Sequence, residues 1–164
     1  MTVVVIDIQE RLVPALTGSA EMVLAAQRLV AGAGILDRNI VYTEQNPDKL
    51  GPTVAGFPAG KACVLPKMAF DASDLLPPDA DEYVLVGCEA HICVYQTARG
   101  LLRAGKRVTI AVDGVSSRKA LDKDTALQDL SRQGARLSTT EAILFDWIGG
   151  ADHSQFRTIS KLIK

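Results

Sequence analysis

Three residues have the types and the positions that thiol-based acyl chemistry needs. Asp7 ends the apolar run VVVI, which puts a carboxylate where a buried strand opens onto the ligand-binding edge of a sheet. From that segment alone a capping or turn-forming aspartate fits as well. Gln9, two residues on, carries an amide able to orient Asp7 or a ligand, whereas Glu10 suits a solvated turn. Cys93 follows VLVGCEAHI, in which a strand is expected to end at Gly87 and a helix to begin about five residues later. The thiol then falls in the first helical turn, where the helix dipole and free amides favour a thiolate and a developing oxyanion. Cys88 stands at the strand end without that field, and Cys63 falls in a short strand, as a structural cysteine would. Lys67 follows Cys63, Val64, Leu65 and Pro66. Alone it is an ordinary solvated lysine, but beside Asp7 and Cys93 its cation is expected to favour both anions and to lower the thiol's pKa.

The elements that must position these residues follow from periodicity. Short β-branched runs at 2–6, 39–43, 83–86 and 107–112 read as buried parallel strands, with shorter ones near 62–65 and 135–137. Helical spacing marks 19–37, with Ser19 as its cap, then 92–104 closed by Gly105, and 122–132 closed by Gly134. Two terminal helices are expected over 140–148 and 153–164. The stretch 45–78, rich in Gly and Pro, reads as a long functional loop. This alternation predicts an α/β fold: three α/β/α layers around a mostly parallel, roughly six-stranded, Rossmann-like sheet, with catalytic residues just past strand ends.

Composition bounds the rest. A chain of 164 residues with 48% hydrophobic residues fits a single domain, 1–164. Eighteen basic and 19 acidic residues, spread along the chain, argue against a nucleic-acid or anionic-lipid partner and for a small-molecule substrate. No long apolar segment suggests a leader or a membrane span, so a cytoplasmic location is expected. Three cysteines without CxxC spacing and two histidines argue against a disulfide framework or a structural zinc. The apolar C-terminal residues Ile143, Leu144, Phe145 and Trp147 suggest a homo-oligomer.

Taken together, VVVIDIQ, LPKMAF and GCEAHICVYQTARGLLRAGKRVTIAVDGVSSR resemble, in that order, the opening strand, lysine segment and cysteine segment of the isochorismatase-like cysteine hydrolases. TEQNPDKLGPTV and the C-terminal stretch from STTEAILFDW onward further resemble the isochorismatase domain-containing branch. The resemblance implies Asp7 as general base, Lys67 as stabilising cation and Cys93 as nucleophile. It also implies a cis Cys88–Glu89 peptide, with the backbone amides of Glu89 and Cys93 as the oxyanion hole. The reaction it implies is hydrolysis of a small amide, imide or ester through a thioester. Nicotinamidases in the same group hold a metal through an Asp and histidines after the second strand, but TEQNPDKLG has no histidine, so neither a metal nor a cofactor is expected. A nicotinamidase proper, or a non-catalytic oligomeric or ligand-binding module, are the other readings. Gln9, Leu12, Gln45, Phe70, His91 and Tyr95 are the candidates for lining a substrate pocket, although each also suits packing or surface.

Overall fold

A computed structural model describes residues 1–58 and 63–164. Six strands, β1 (Thr2–Ile6), β2 (Asn39–Gln45), β3 (Cys63–Lys67), β4 (Glu82–Cys88), β5 (Arg107–Ser116) and β6 (Arg136–Ser138), form one all-parallel sheet in the order β3-β2-β1-β4-β5-β6. The central strand β1 is TVVVI and is buried along its whole length, as expected of a strand covered on both faces. Helices α1 (Ser19–Ile35), α5 (Thr140–Ile148) and α6 (Phe156–Ile163) cover one face, through a core that includes Met22, Leu29, Val30, Leu144 and Ile159. On the other face, α3 (Tyr95–Arg103) and α4 (Ala120–Arg132) pack Ala98, Leu101, Leu127 and Leu130 against β1, β4 and β5. The one-turn helix α2 (Pro47–Leu50) lies between β2 and β3. Among the described residues, no helix is long and apolar enough to cross a membrane.

Two glycines mark close approaches, one at the site edge and one between helices. A Cβ on Gly87, whose φ is +127°, would lie 2.0 Å from the Ile6 carbonyl oxygen, so only glycine lets the end of β4 close against β1 just before Asp7. A Cβ on Gly32 would meet Leu144 Cδ2 at 2.2 Å, so Gly32 is what allows α1 and α5 to approach each other.

Most of the expected elements are present, with several changes of detail. Residue 62, the start expected for the third strand, lies outside the described residues, and that strand occupies Cys63–Lys67. Ser19 does not cap α1: Gly18 takes the cap position without a side-chain bond, and Ser19 is the first helical residue. Gly105 and Gly134 do close α3 and α4, at φ +74° and +103°. The stretch 45–78 carries α2 and a 3₁₀ turn at Ser73–Leu75 besides its strand. The helix expected at 92 begins earlier, as a π-helical turn over Ala90–Val94 in which the Val94 amide donates to the Glu89 carbonyl, and α3 continues it from Tyr95. The terminal helix is shorter than expected, Phe156–Ile163. The apolar C-terminal residues are largely used within the chain: Ile143 and Leu144 are buried, while Phe145 and Trp147 pack against the α1 face of the core.

Candidate active site

Four neighbouring strands deliver polar groups to one carboxyl edge. Register alone brings two of them together, since Gln45 at the end of β2 pairs with Lys67 at the end of β3. Asp7 follows Ile6, which pairs with Thr43 on one side and Gly87 on the other, so Asp7 emerges between β2 and β4. Its backbone is left-handed, with φ +53°, an uncommon state for a non-glycine residue. Three bonds hold it: the Asp7 amide donates to the Thr43 carbonyl at 3.1 Å, and the Asp7 carbonyl accepts from the Gln9 amide at 2.9 Å and from Cys88 Sγ at 3.0 Å.

The Asp7 side chain is fully buried. Its Oδ2 accepts from Lys67 Nζ at 2.7 Å, and its Oδ1 accepts from the Thr43 hydroxyl at 2.7 Å. Lys67 is buried too, and donates further to Gln45 Oε1 at 2.7 Å and, over longer distances of 3.3 and 3.4 Å, to the carbonyls of Ala69 and Phe70. A charge pair can be this deeply buried only when hydrogen bonds satisfy what the pairing leaves over, and these three further acceptors do so for the ammonium. Gln45 Nε2 donates to the Met68 carbonyl at 2.7 Å, which turns Oε1 towards the lysine.

Cys93 lies in the π turn, 5% exposed, where its side chain interacts with both Asp7 and Lys67. Its thiol is not acidified. Burial first and the Asp7 carboxylate second push it up to about 12, against the lowering effect of Lys67. The sequence-based expectation of a lowered pKa is therefore wrong for the resting site, because burial, and after it the Asp7 carboxylate, outweigh the lowering effect of Lys67. Cys88, fully buried, is pushed well above the usual thiol range, by desolvation first. Cys63 is exposed.

The Cys88–Glu89 peptide is cis. The Glu89 carboxylate is buried and accepts from the Arg118 backbone amide at 3.1 Å and from Arg118 Nε at 3.0 Å, which ties the end of β4 to the residues following β5. Among the described residues, no group of three or more His, Cys, Asp or Glu converges as metal ligands would.

The pocket candidates divide into two groups. Gln45 and the Phe70 backbone touch Lys67 directly. Gln9 instead braces the loop behind it: its amide donates to the carbonyls of Gln45 and Gly51 at 3.1 and 2.6 Å and accepts from the Gln45 amide at 2.8 Å, so the backbone uses all of it. Leu12 packs against the α1 side of the core. His91 and Tyr95 face α4 rather than Asp7 and Lys67. There they line a groove with Asp122 and Asp129, His91 Nδ1 lies 2.9 Å from Ser117 Oγ, and the Tyr95 hydroxyl donates to Asp129 Oδ2 at 2.5 Å. Thr43 and Arg118 are the site-edge residues that sequence reasoning did not single out. The available signal for Thr43 was a hydroxyl near the carboxyl end of a strand, two residues before Gln45.

The model of the isochorismatase domain family matches residues 1–142. Isochorismatase domain-containing protein 1 of Salmo salar is 36% identical over 168 residues, covering 96% of this chain and 59% of that protein, so the chain spans about six tenths of that relative's length. A Caenorhabditis elegans structure described as MAR1 ribonuclease superposes with a TM-score of 0.93 at 35% identity, covering 99% of this chain and 88% of that one. The Escherichia coli YcaC structure, described as an octameric hydrolase of unknown specificity, shares the fold at a TM-score of 0.79 and 17% identity over 98% of this chain and 91% of its own.

Proposed function

The chain belongs to the isochorismatase family, and from that premise we propose that it is a cysteine hydrolase of a small amide, imide or ester, with Cys93 as nucleophile, Asp7 as base and Lys67 as the cation that stabilises the anionic states. Family membership supports a hydrolase-type function. The observation that carries the finer reading is the buried Asp7–Lys67 pair, 2.7 Å apart, whose charges act on a cysteine that is itself buried.

With its pKa near 12, Cys93 rests as a thiol, so the proton leaves as the sulfur attacks. The S–H proton passes to Asp7, the sulfur bonds to the substrate carbonyl carbon, and the carbonyl oxygen takes up negative charge between the backbone amides of Glu89 and Cys93. Collapse breaks the bond to the leaving nitrogen or oxygen, which takes the proton back from Asp7. Water, deprotonated by Asp7, then splits the thioester, releases the acid and restores the thiol.

Support for the wider reading is of two kinds. A single domain spanning 1–164 fits the one sheet with helices on both faces. A homo-oligomer in the cytoplasm fits the octamer described for Escherichia coli YcaC and the three free cysteines. Nicotinamidase activity is the less supported reading, because the residues after β2 include no histidine. The name ribonuclease belongs to the Caenorhabditis elegans protein, and the even balance of 18 basic and 19 acidic residues gives no reason to carry RNA cleavage over.

A panel of amides, imides and esters read by mass spectrometry tests the proposal. A covalent acyl adduct on Cys93, lost together with turnover in Cys93→Ala and retained in Cys88→Ala, is the expected result. An adduct on Cys88 or Cys63, or undiminished turnover by Cys93→Ala, overturns it.

A further inference from the structure

We infer that Thr43 is a positioning residue for proton transfer from Cys93 to Asp7, its buried hydroxyl fixing the plane of the Asp7 carboxylate. The inference rests on the roles proposed above for Cys93 and Asp7. Thr43 lies in β2 after buried Val41 and Tyr42, and is itself fully buried. Valine would fill the same β-branched shape without burying a hydroxyl, and a buried hydroxyl is costly unless bonded. Packing therefore accounts for the branch but not for the oxygen. The partner that accounts for the oxygen is Asp7 Oδ1, at 2.7 Å.

The geometry gives that bond a task. The terminal torsion of an aspartate is broad, so one donor on one oxygen leaves the carboxylate free to rock. Here the two oxygens have separate donors on the adjacent strands β2 and β3, Thr43 on Oδ1 and Lys67 on Oδ2, and the carboxylate plane is set. The backbone contact between the same two residues, Asp7 amide to Thr43 carbonyl at 3.1 Å, locks the base of the side chain as well. The charged groups that act on Cys93 are Asp7, just after β1, and Lys67 from β3, while Glu89, at the end of β4, acts on the neighbouring Cys88. Lys67 is held by Asp7 and Gln45, and Glu89 by Arg118. From β2, Thr43 supplies a neutral donor that leaves the carboxylate ionised and ready to accept the thiol's proton.

Acetylation of Cys93 by p-nitrophenyl acetate isolates this step. The S–H proton goes to Asp7, the sulfur–acetyl bond forms, and the ester C–O bond breaks to release p-nitrophenolate, which needs no protonation to depart. Two routes lead to the same thioester. One is attack assisted by Asp7. The other is attack by free thiolate, whose population rises tenfold with each pH unit while the thiol stays below its pKa.

Loss of Thr43's hydroxyl weakens only the first route. In stopped-flow traces, Thr43→Val is expected to acetylate about 30-fold more slowly than the native protein at pH 7, with the deficit shrinking to about threefold at pH 10, well within the range that proton transfer contributes. The ester concentration giving half-saturation should stay within about twofold, and Thr43→Ser should stay within about threefold of native throughout. Thr43→Ala must reproduce the pattern should the valine variant misfold. A deficit equal at pH 7 and pH 10, a valine variant as fast as native at pH 7, or a serine variant as slow as valine overturns the inference and leaves the proposed function standing. Undiminished acetylation in Cys93→Ala overturns the proposed function and this inference with it.

Discussion

The same sheet edge carries two acid–base pairs in opposite circumstances. Lys67 and Asp7 are 2% and 0% exposed in their side chains and 2.7 Å apart; Arg118 and Glu89 are 58% and 7% exposed and 3.0 Å apart. In the first pair both ions have given up water, so every remaining donor and acceptor is supplied by protein. In the second, the guanidinium keeps most of its hydration, and its hold on Glu89 is reinforced by the Arg118 backbone amide. Proximity of opposite charges is therefore a weak guide to role. The first pair lies beside the buried Cys93 thiol, whereas the second closes the end of β4 against the loop after β5.

The largest expected difference between the pairs is energetic. Lys67→Met leaves Asp7 buried with Thr43 as its remaining side-chain partner, and is expected to cost about 3–5 kcal/mol in denaturant unfolding, together with loss of Cys93 acylation. Arg118→Met removes one bond to Glu89 but leaves the backbone donor, and a loss nearer 1 kcal/mol is expected. Equal losses would show that burial does not separate the two pairs. A double replacement, Asp7→Leu with Lys67→Met, sharpens the contrast: it should recover stability relative to Lys67→Met alone while activity stays absent.

A smaller effect separates the Asp7 edge from the exposed surface by pH. The Cys93 thiol is pushed up to about 12 in the fold, while an unfolded cysteine ionises near 8.5. Between those values the unfolded chain has lost a proton that the folded chain keeps, so stability must fall as pH rises. The contribution is whole below about pH 8.5 and declines by up to about 1.4 kcal/mol per pH unit above it. Cys88, raised in the same direction, adds to the slope. Chemical denaturation between pH 8 and 9 checks this, before the tyrosines of the unfolded chain, which ionise near 10, bring in the raised Tyr42 and Tyr83 phenols. Cys93→Ala should flatten the slope and leave the part due to Cys88; a slope unchanged in that variant would show that the thiol is not held up.

What the sequence conveyed depends on how far each property extends along the chain. Strand β1 was legible to the residue, because a strand buried on both faces must be apolar throughout, and Asp7 then marks its end. Lys67 was legible only in combination with Asp7 and Cys93, since a lysine after Pro66 resembles many solvated lysines until the register of β2 with β3 is known. The direction of the Cys93 pKa was not legible. It depends first on how deeply the thiol is buried and then on the balance between the Asp7 carboxylate and the Lys67 ammonium, groups brought together from separate strand ends. Nor was the role of Gln9: the same amide that suits a ligand is consumed by the carbonyls of Gln45 and Gly51 in a loop no local pattern connects to it.

The smallest predicted effect concerns His91 and Tyr95, the pocket candidates that face α4. In a helical turn residues two apart point to nearly opposite sides, so His91 and Tyr95, two before and two after Cys93 around the turn at Ala90–Val94, share the face away from the thiol. Tyr95 ends with its hydroxyl on Asp129 Oδ2, where Gln133 Nε2 also donates at 2.6 Å, and with the Arg99 guanidinium 5.3 Å from its ring centre. The hydroxyl bond is the leading cause that holds the Asp129 carboxyl below its ordinary value, and it spans two solvent-facing helices rather than reaching the Asp7–Lys67 edge. Tyr95→Phe should therefore release Asp129 upward in pKa, visible in its carboxyl carbon shift, while acetylation of Cys93 changes by less than about twofold, as for a substitution remote from the reacting atoms. A tenfold loss of acetylation in Tyr95→Phe would join the α3–α4 groove to the site and remove the distinction between the buried edge and the solvated one.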